Sequence, residues 1–242
     1  MITTTAILAK LPPAERVYVR NTALKVEAVF PTQLVGVYLF GSASYGQYVP
    51  GVSDLDIQAV IEPSVSDEQL APLVEALLHR NHPCPATKLE FVLHTRKQLM
   101  SVPSSPYRLN LNTGPTIDDH VSMDAGEDPS HWFVLDIAIG RTRALPLLGK
   151  MPPERVFPAI TSEQIAQAMI ECLAWFAEHF PESEAYAQCL MRCYVFARHG
   201  ELVSKKDAAV IAKKERATDI FSDRGAITRL HNEVVLALDQ SG

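Results

Sequence analysis

The chain has 242 residues, of which 47% are hydrophobic and 21% are charged, as is ordinary for a globular protein. Its formal net charge of -6 argues against an enzyme that grips long nucleic acid, because such an enzyme needs a basic track. The same charge suits a small cationic partner. The sequence contains no apolar run of about 20 residues and no signal-peptide pattern, so we predict a cytoplasmic protein that does not cross a membrane.

The first third of the chain alternates between helical and strand patterns. Pro12 and Pro13 predict the start of a helix, since proline is tolerated in the first turn. Its apolar face is predicted to carry Val17, Leu24 and Ala28. An apolar run over 34–40 predicts a strand. Ser66 is a suitable N-cap for a helix over 67–79, and alternation over 88–94 predicts a further strand.

The rest of the chain is predicted to change from loops to helices, and from Ser162 onward the pattern is wholly helical. Residues 100–129 look loop-rich, and Ser130 is predicted to cap a helix that continues to about residue 144. Four prolines and one glycine in 145–161 predict a linker. Helices are predicted over 162–180 and 184–199, from Ser204 onward and over 230–238. The sequence therefore predicts an α/β domain over 1–150 and an all-α helical bundle over 151–242.

The most informative stretch is FGSASYGQYVPGVSDLDIQAVI, residues 40–61. Asp54 and Asp56 are two residues apart, so on a strand both side chains project to the same face. Two carboxylates held that close repel each other unless a cation lies between them. Mg²⁺ takes oxygen ligands and bridges to phosphates, so the pair predicts a magnesium site.

A glycine-serine turn precedes the two aspartates. Gly41 permits close backbone approach, and the backbone N–H groups of such a turn form an anion-binding nest. The hydroxyl of Ser42 adds another donor. We therefore predict a phosphate-binding turn beside the metal site.

The glycine-serine turn followed by SDLD resembles the DNA polymerase beta-like nucleotidyltransferases. The longer motif, LFGSASYG followed by SDLDI, most resembles the aminoglycoside (3'')(9) adenylyltransferases that modify streptomycin and spectinomycin. The resemblance implies a polymerase beta-like mixed sheet, Mg²⁺, and ATP as co-substrate. It also implies transfer of AMP to a hydroxyl of the antibiotic. A nucleotidyltransferase acting on a protein or another metabolite, or a non-catalytic nucleotide-binding module, remains an alternative.

The same resemblance implies roles for single residues. Glu90, on the strand after the motif, corresponds to the general base, with a surface glutamate as the alternative. Ser53 is expected to contact phosphate, and Arg192 and Lys206 to bind the triphosphate unless they are ordinary surface bases. Asp136 corresponds to an acidic residue near the nucleotide, or else it pairs with Arg141 or Arg143.

The resemblance also implies where the cationic acceptor binds. Acidic and aromatic residues between the first two helices of the bundle correspond to the drug-binding region, here Trp175, Glu178 and Glu182. Acidic residues there are equally explained as partners of a helix dipole. The resemblance is weak over 100–129, where Thr116 or Ile117 stands in place of a tryptophan. We expect a monomer with a small-molecule cationic substrate.

The four cysteines lack C-x-x-C spacing, which favours reduced thiols. Cys189 and Cys193 are four residues apart and could share one helix face. We predict small buried core residues rather than a metal pair, because no histidine is spaced to join them.

Overall fold

The computed structural model describes residues 4–62, 65–102, 107–149, 151–216 and 224–240. The chain forms two compact units. The first is Met1–Phe133 with Ile137–Ala159, and the second is Val134–Asp136 with Ile160–Gly242. Residue 150, where the domain boundary was predicted, lies outside the described residues, as do residues 103–106 of the predicted loop.

The first unit is built on a mixed six-stranded sheet of order β5-β4-β3-β2-β1-β6. Strands β2 and β3 are parallel, whereas the other neighbouring strands pair antiparallel. The strands are β1 (Leu34–Leu39), β2 (Leu55–Ile61), β3 (Leu89–Thr95), β4 (Leu109–Gly114), β5 (Ile117–Ser122) and β6 (Leu145–Gly149).

The helices that begin in this unit are α1 (Thr4–Leu8), α2 (Pro13–Val29), α3 (Gly41–Ser44), α4 (Asp67–Leu77), α5 (Arg96–Leu99), α6 (Ser130–Arg143) and α7 (Pro153–Val156). The prediction that Ser66 caps α4 is confirmed, because Ser66 forms a reciprocal capping box with Gln69. Ser130 does not cap α6. It is the first helical residue, and the N-cap position is Pro129.

One face of the sheet forms the apolar core. Alternate residues of β2 and β3, such as Leu55, Ile57 and Phe91, are fully buried in a cluster with residues of α2 and α4. The intervening residues project from the opposite face, as the strand period of two requires. That opposite face carries Asp56 and Glu90.

Besides the Ser130 cap, three sequence-based predictions in this unit are wrong. Helix α2 buries Tyr18, Val19 and Val26, whereas Val17 and Leu24 are exposed. The segment predicted to be loop-rich contains the β4–β5 hairpin, and the predicted linker begins with β6, which pairs with β1. The prolines and polar residues of these segments give no local strand pattern. The strands form there because they pair with strands that are distant in the sequence.

In the described part of the second unit the chain forms α8 (Ser162–His179), α9 (Glu184–His199), α10 (Lys205–Arg216) and α11 (Arg224–Asp239). Helix α8 begins at Ser162, as predicted, and Thr161 is its N-cap. Helix α9 ends as predicted at Gly200, whose φ of 69° places it in the left-handed region that terminates helices.

The cysteines of the second unit lie together. Cys172 and Cys193 are buried, and the Sγ atom of Cys189 lies 3.3 Å from that of Cys172 and 4.0 Å from that of Cys193. Burial raises the pKa of the Cys193 thiol well above its usual value. Cys193 is therefore a small buried core residue, as predicted, whereas Cys189 is only half-buried.

Within the described residues, no helix has both the length and the apolarity needed to cross a membrane.

Candidate functional site

Three carboxylates converge on the face of the sheet that lies opposite the core formed with α2 and α4. Asp54 directly precedes β2, Asp56 lies within it, and Glu90 lies beside Asp56 as its register partner on β3. Each contributes one carboxylate oxygen, and these oxygens lie within 4.8 Å of one another. The structure therefore brings Glu90 to the two aspartates, as its strand position predicted. Such a group of partly exposed oxygen ligands fits a hard divalent cation that keeps some of its water.

The turn formed by Phe40 and the first residue of α3, Gly41, is packed against this cluster. Gly41 has a φ of 58°, and a β-carbon at this position would overlap Oδ2 of Asp56. The backbone N–H of Phe40 donates to the carbonyl oxygen of Asp56 at 2.8 Å. Glycine is therefore needed here both for its backbone conformation and for the space that it leaves to the carboxylate.

The two serines of the motif differ in their hydrogen bonding. Ser42 Oγ is buried and has no hydrogen-bond partner among the described residues. A buried hydroxyl without a partner is uncommon, and a bound ligand is one explanation for it. Ser53 Oγ instead accepts the backbone N–H of Val49 at 3.0 Å, so it closes the loop before β2. Ser53 can still offer its hydroxyl proton to a phosphate.

Sequence reasoning did not identify Lys88 as a residue of the site. Its Nζ forms an ion pair with Glu90 Oε1, and the two side chains are 31% and 36% exposed. Burial by itself would lower the pKa of Lys88, but the charges of Glu90, Asp54 and Asp56 outweigh it and raise that pKa. The signal was present in the alternation of the strand, because residues 88 and 90 project to the same face.

Asp136 is half-buried in α6 and belongs to the second unit. The two arginines considered as its partners have other contacts. Arg141 donates to the carbonyl oxygen of Phe157 at 2.7 Å, and the guanidinium of Arg143 lies 5.6 Å from the centre of the Tyr45 ring.

The two basic candidates of the second unit differ in environment. Arg192 is half-buried in α9, and its Nε atom is buried without a hydrogen-bond partner among the described residues. Lys206 is exposed in the first turn of α10, which Ser204 caps by accepting the N–H of Asp207 at 3.0 Å. The Arg192 environment is suited to an anion, because an unpaired buried guanidinium nitrogen is costly.

The predicted acceptor residues lie near the junction of α8 and α9. Trp175 stacks on His179 with ring centroids 4.7 Å apart, while Glu178 is exposed. Glu182 lines a cavity of about 400 Å³ together with Tyr186 and His231, whose hydroxyl and Nδ1 are 2.7 Å apart. Trp175 is not among the residues that line this cavity.

The comparisons with known proteins rest on structure. No protein-family model matches the chain, and no curated protein matches it significantly in sequence. A spectinomycin adenyltransferase from Enterococcus faecialis, solved with ATP and spectinomycin, has a similar structure, with a TM-score of 0.62 at 14% identity. The match covers 93% of this chain and 96% of that one.

This similarity, together with the mixed sheet and the helical second unit, shows that the chain has the same type of α/β-plus-helical fold as that adenyltransferase. The similar structure is a spectinomycin adenyltransferase, and at this level of identity the likeness establishes the fold alone.

Proposed function

We propose that the protein is a Mg²⁺-dependent adenylyltransferase. It would transfer AMP from ATP to a hydroxyl of an aminoglycoside or aminocyclitol antibiotic, such as streptomycin or spectinomycin, and release pyrophosphate. The observation that carries this proposal is the group of three carboxylates beside the Gly41 turn. The adenyltransferase of similar fold supports the choice of nucleotide and acceptor.

Asp54 and Asp56 are the residues that would hold the ion. When bound, Mg²⁺ supplies positive charge that offsets the charge on the attacking and leaving oxygens. The two side chains are fixed by the start of β2, because Leu55 between them is fully buried in the core. The ligands are therefore held in position before the ion arrives.

Glu90 is proposed to accept the proton of the acceptor hydroxyl. The attacking oxygen then forms a bond to the α-phosphorus of ATP, the bond from that phosphorus to the α,β-bridging oxygen breaks, and pyrophosphate leaves with the electron pair.

Two residues are proposed to bind phosphate because each has a buried polar atom without a hydrogen-bond partner in the described structure. Ser42 Oγ lies in the turn beside Asp56 without a hydrogen-bond partner in the described structure, so a phosphate oxygen would satisfy it. Arg192 Nε in the second unit is equally suited to an anionic oxygen. Lys206 is exposed and can add charge without a fixed partner.

The acceptor is proposed to be cationic. The protein carries a formal net charge of -6, and Glu178, Glu182 and the aromatic Trp175 all lie near the junction of α8 and α9. Carboxylates and an aromatic face are both groups that attract ammonium and guanidinium groups.

The direct test is a screen for adenylylated products with α-labelled ATP and Mg²⁺. The acceptor panel contains streptomycin, spectinomycin and neutral sugar alcohols, and Asp56→Asn is the inactive control. Labelled antibiotic, absent with the control, is the expected result. Mg-ATP binding without any labelled antibiotic would overturn the acceptor assignment, and absence of Mg-ATP binding would overturn the nucleotidyltransferase assignment as well.

A further inference from the structure

Lys88 places a positive charge inside the proposed metal site. Its backbone is fixed there, because the carbonyl oxygen of Lys88 accepts the N–H of Leu55 at 3.0 Å. Leu55 lies between Asp54 and Asp56 in the sequence, so this hydrogen bond places the backbone of Lys88 beside the two aspartates. Its ammonium then reaches Glu90, where it forms an ion pair.

The Lys88 ammonium therefore lies beside the group of carboxylates to which the metal-ligand candidates belong. The three carboxylates together carry three negative charges at short mutual distance, and one ammonium offsets part of that charge. Both members of the Lys88–Glu90 pair keep about a third of their side-chain surface exposed. The ammonium can thus exchange its carboxylate contact for water without breaking a buried network.

We propose that Lys88 is a built-in counter-ion that competes with the divalent cation. Before metal binds, its ammonium neutralises part of the carboxylate cluster. When the ion binds at Asp54 and Asp56, it repels the ammonium, which releases Glu90. The inference rests on the proposed function only in taking Asp54 and Asp56 as the metal ligands.

Lysine suits this role better than arginine would. An ammonium is a compact charge on a flexible stem that hydrates readily, whereas a guanidinium holds a carboxylate through two parallel hydrogen bonds. An arginine at this position would release Glu90 less readily when the ion binds.

The test measures Mn²⁺ affinity without nucleotide, by paramagnetic resonance or calorimetry, because Mn²⁺ accepts the same oxygen ligands as Mg²⁺. Lys88→Met removes the competing charge and keeps a similar stem. Because one unit charge a few Å from a divalent ion is repelled by more than 1 kcal/mol even in water, we expect about tenfold tighter Mn²⁺ binding in this variant.

Two variants serve as controls. Lys97→Met removes the same charge from an exposed position in α5, at the other end of β3, and is expected to keep the wild-type affinity because the charge is screened there. Lys88→Arg restores the charge at the site and should bind Mn²⁺ no more tightly than the wild type.

Thermal melting supplies a second readout. In chelator, Lys88→Met should melt at a lower temperature than the wild type, because the carboxylates repel one another without a counter-ion. Added Mg²⁺ should remove this difference. Unfolding of Lys88→Met in chelator with recovery in Mg²⁺ also supports the proposal.

Equal or weaker Mn²⁺ affinity in Lys88→Met overturns the counter-ion role, since it means that the lysine is neutral toward the ion or helps to bind it. The wild type would still bind Mn²⁺ in that case, so the proposed function would be unaffected. Failure of both wild type and variant to bind Mn²⁺ overturns the metal site and this inference together.

Discussion

Gly41 and Asp56 are so close that a β-carbon on the glycine would overlap Oδ2 of the aspartate. The contact joins the turn after β1 to the metal-ligand candidate on β2. The glycine turn and the aspartate strand of the motif can therefore pack together only if residue 41 has a φ near 58° and no side chain.

Gly41→Ala is expected to lower turnover by about 100-fold, because a shift of about 1 Å in a reacting group has that effect. It should also weaken Mn²⁺ binding, since either Asp56 or the turn must move. Gly51→Ala is the matched control, because Gly51 has a φ of 74° and no atom within 4 Å of the added carbon. Both variants should lose about 1–2 kcal/mol of stability from the left-handed backbone. Equal turnover in the two variants would contradict the contact with Asp56 as the cause.

Asp54→Asn and Asp56→Asn are each expected to reduce turnover at least ~100-fold while the protein stays folded, because they remove charge from the metal site and leave the core intact. Turnover is measured at saturating Mg²⁺, and folding is checked by thermal melting. Asp118→Asn, at an exposed position of β5, is the control for loss of one negative charge. Normal turnover in either site variant would remove the metal assignment.

Glu90→Gln is expected to keep Mg-ATP affinity and to lower turnover by about 100-fold or more, as loss of a general base does. Glutamine keeps the shape of the side chain but cannot accept the proton. Calorimetry with Mg-ATP and single-turnover kinetics are the two measurements. A large loss of Mg-ATP affinity would instead make Glu90 a third metal ligand, and retained turnover would exclude it from the reaction.

The imidazole of His82 should make the protein less stable in mild acid. It is 8% exposed, stacks on Tyr18 with centroids 4.1 Å apart, and has its Nε2 3.0 Å from Thr22 Oγ1. Burial, with a smaller contribution from the charge of Lys25, lowers the pKa of His82 to about 4. The unfolded chain, with a histidine pKa of about 6.5, therefore binds the proton more readily than the folded protein does.

The free energy of unfolding should accordingly fall as the pH is lowered from about 6.5 towards 4. Denaturant unfolding at a series of pH values measures this slope. His82→Gln should flatten the slope over that range, whereas His179→Gln, at an exposed position, should keep it. An unchanged slope in His82→Gln would assign the acid sensitivity to other groups.

Local sequence patterns predicted the elements that carry the site. Alternation placed Leu89 and Phe91 in the core and Glu90 on the opposite face, and the structure agrees. The turn at Gly41 and the spacing of Asp54 and Asp56 likewise indicated a strand-turn-strand motif. These predictions succeeded because they depend on the period of a strand and on glycine backbone freedom, which are properties of neighbouring residues.

The sequence by itself thus determined the α/β-then-helical fold class, the metal-ligand pair and the phosphate-binding turn as hypotheses. Only the tertiary structure decided that β2 and β3 pair in the register that puts Glu90 beside Asp56, and that Lys88 enters the same cluster. It also revealed β4, β5 and β6 in segments predicted to be irregular. Sheet register and edge strands are fixed by contacts between residues far apart in the chain, so no local pattern can specify them.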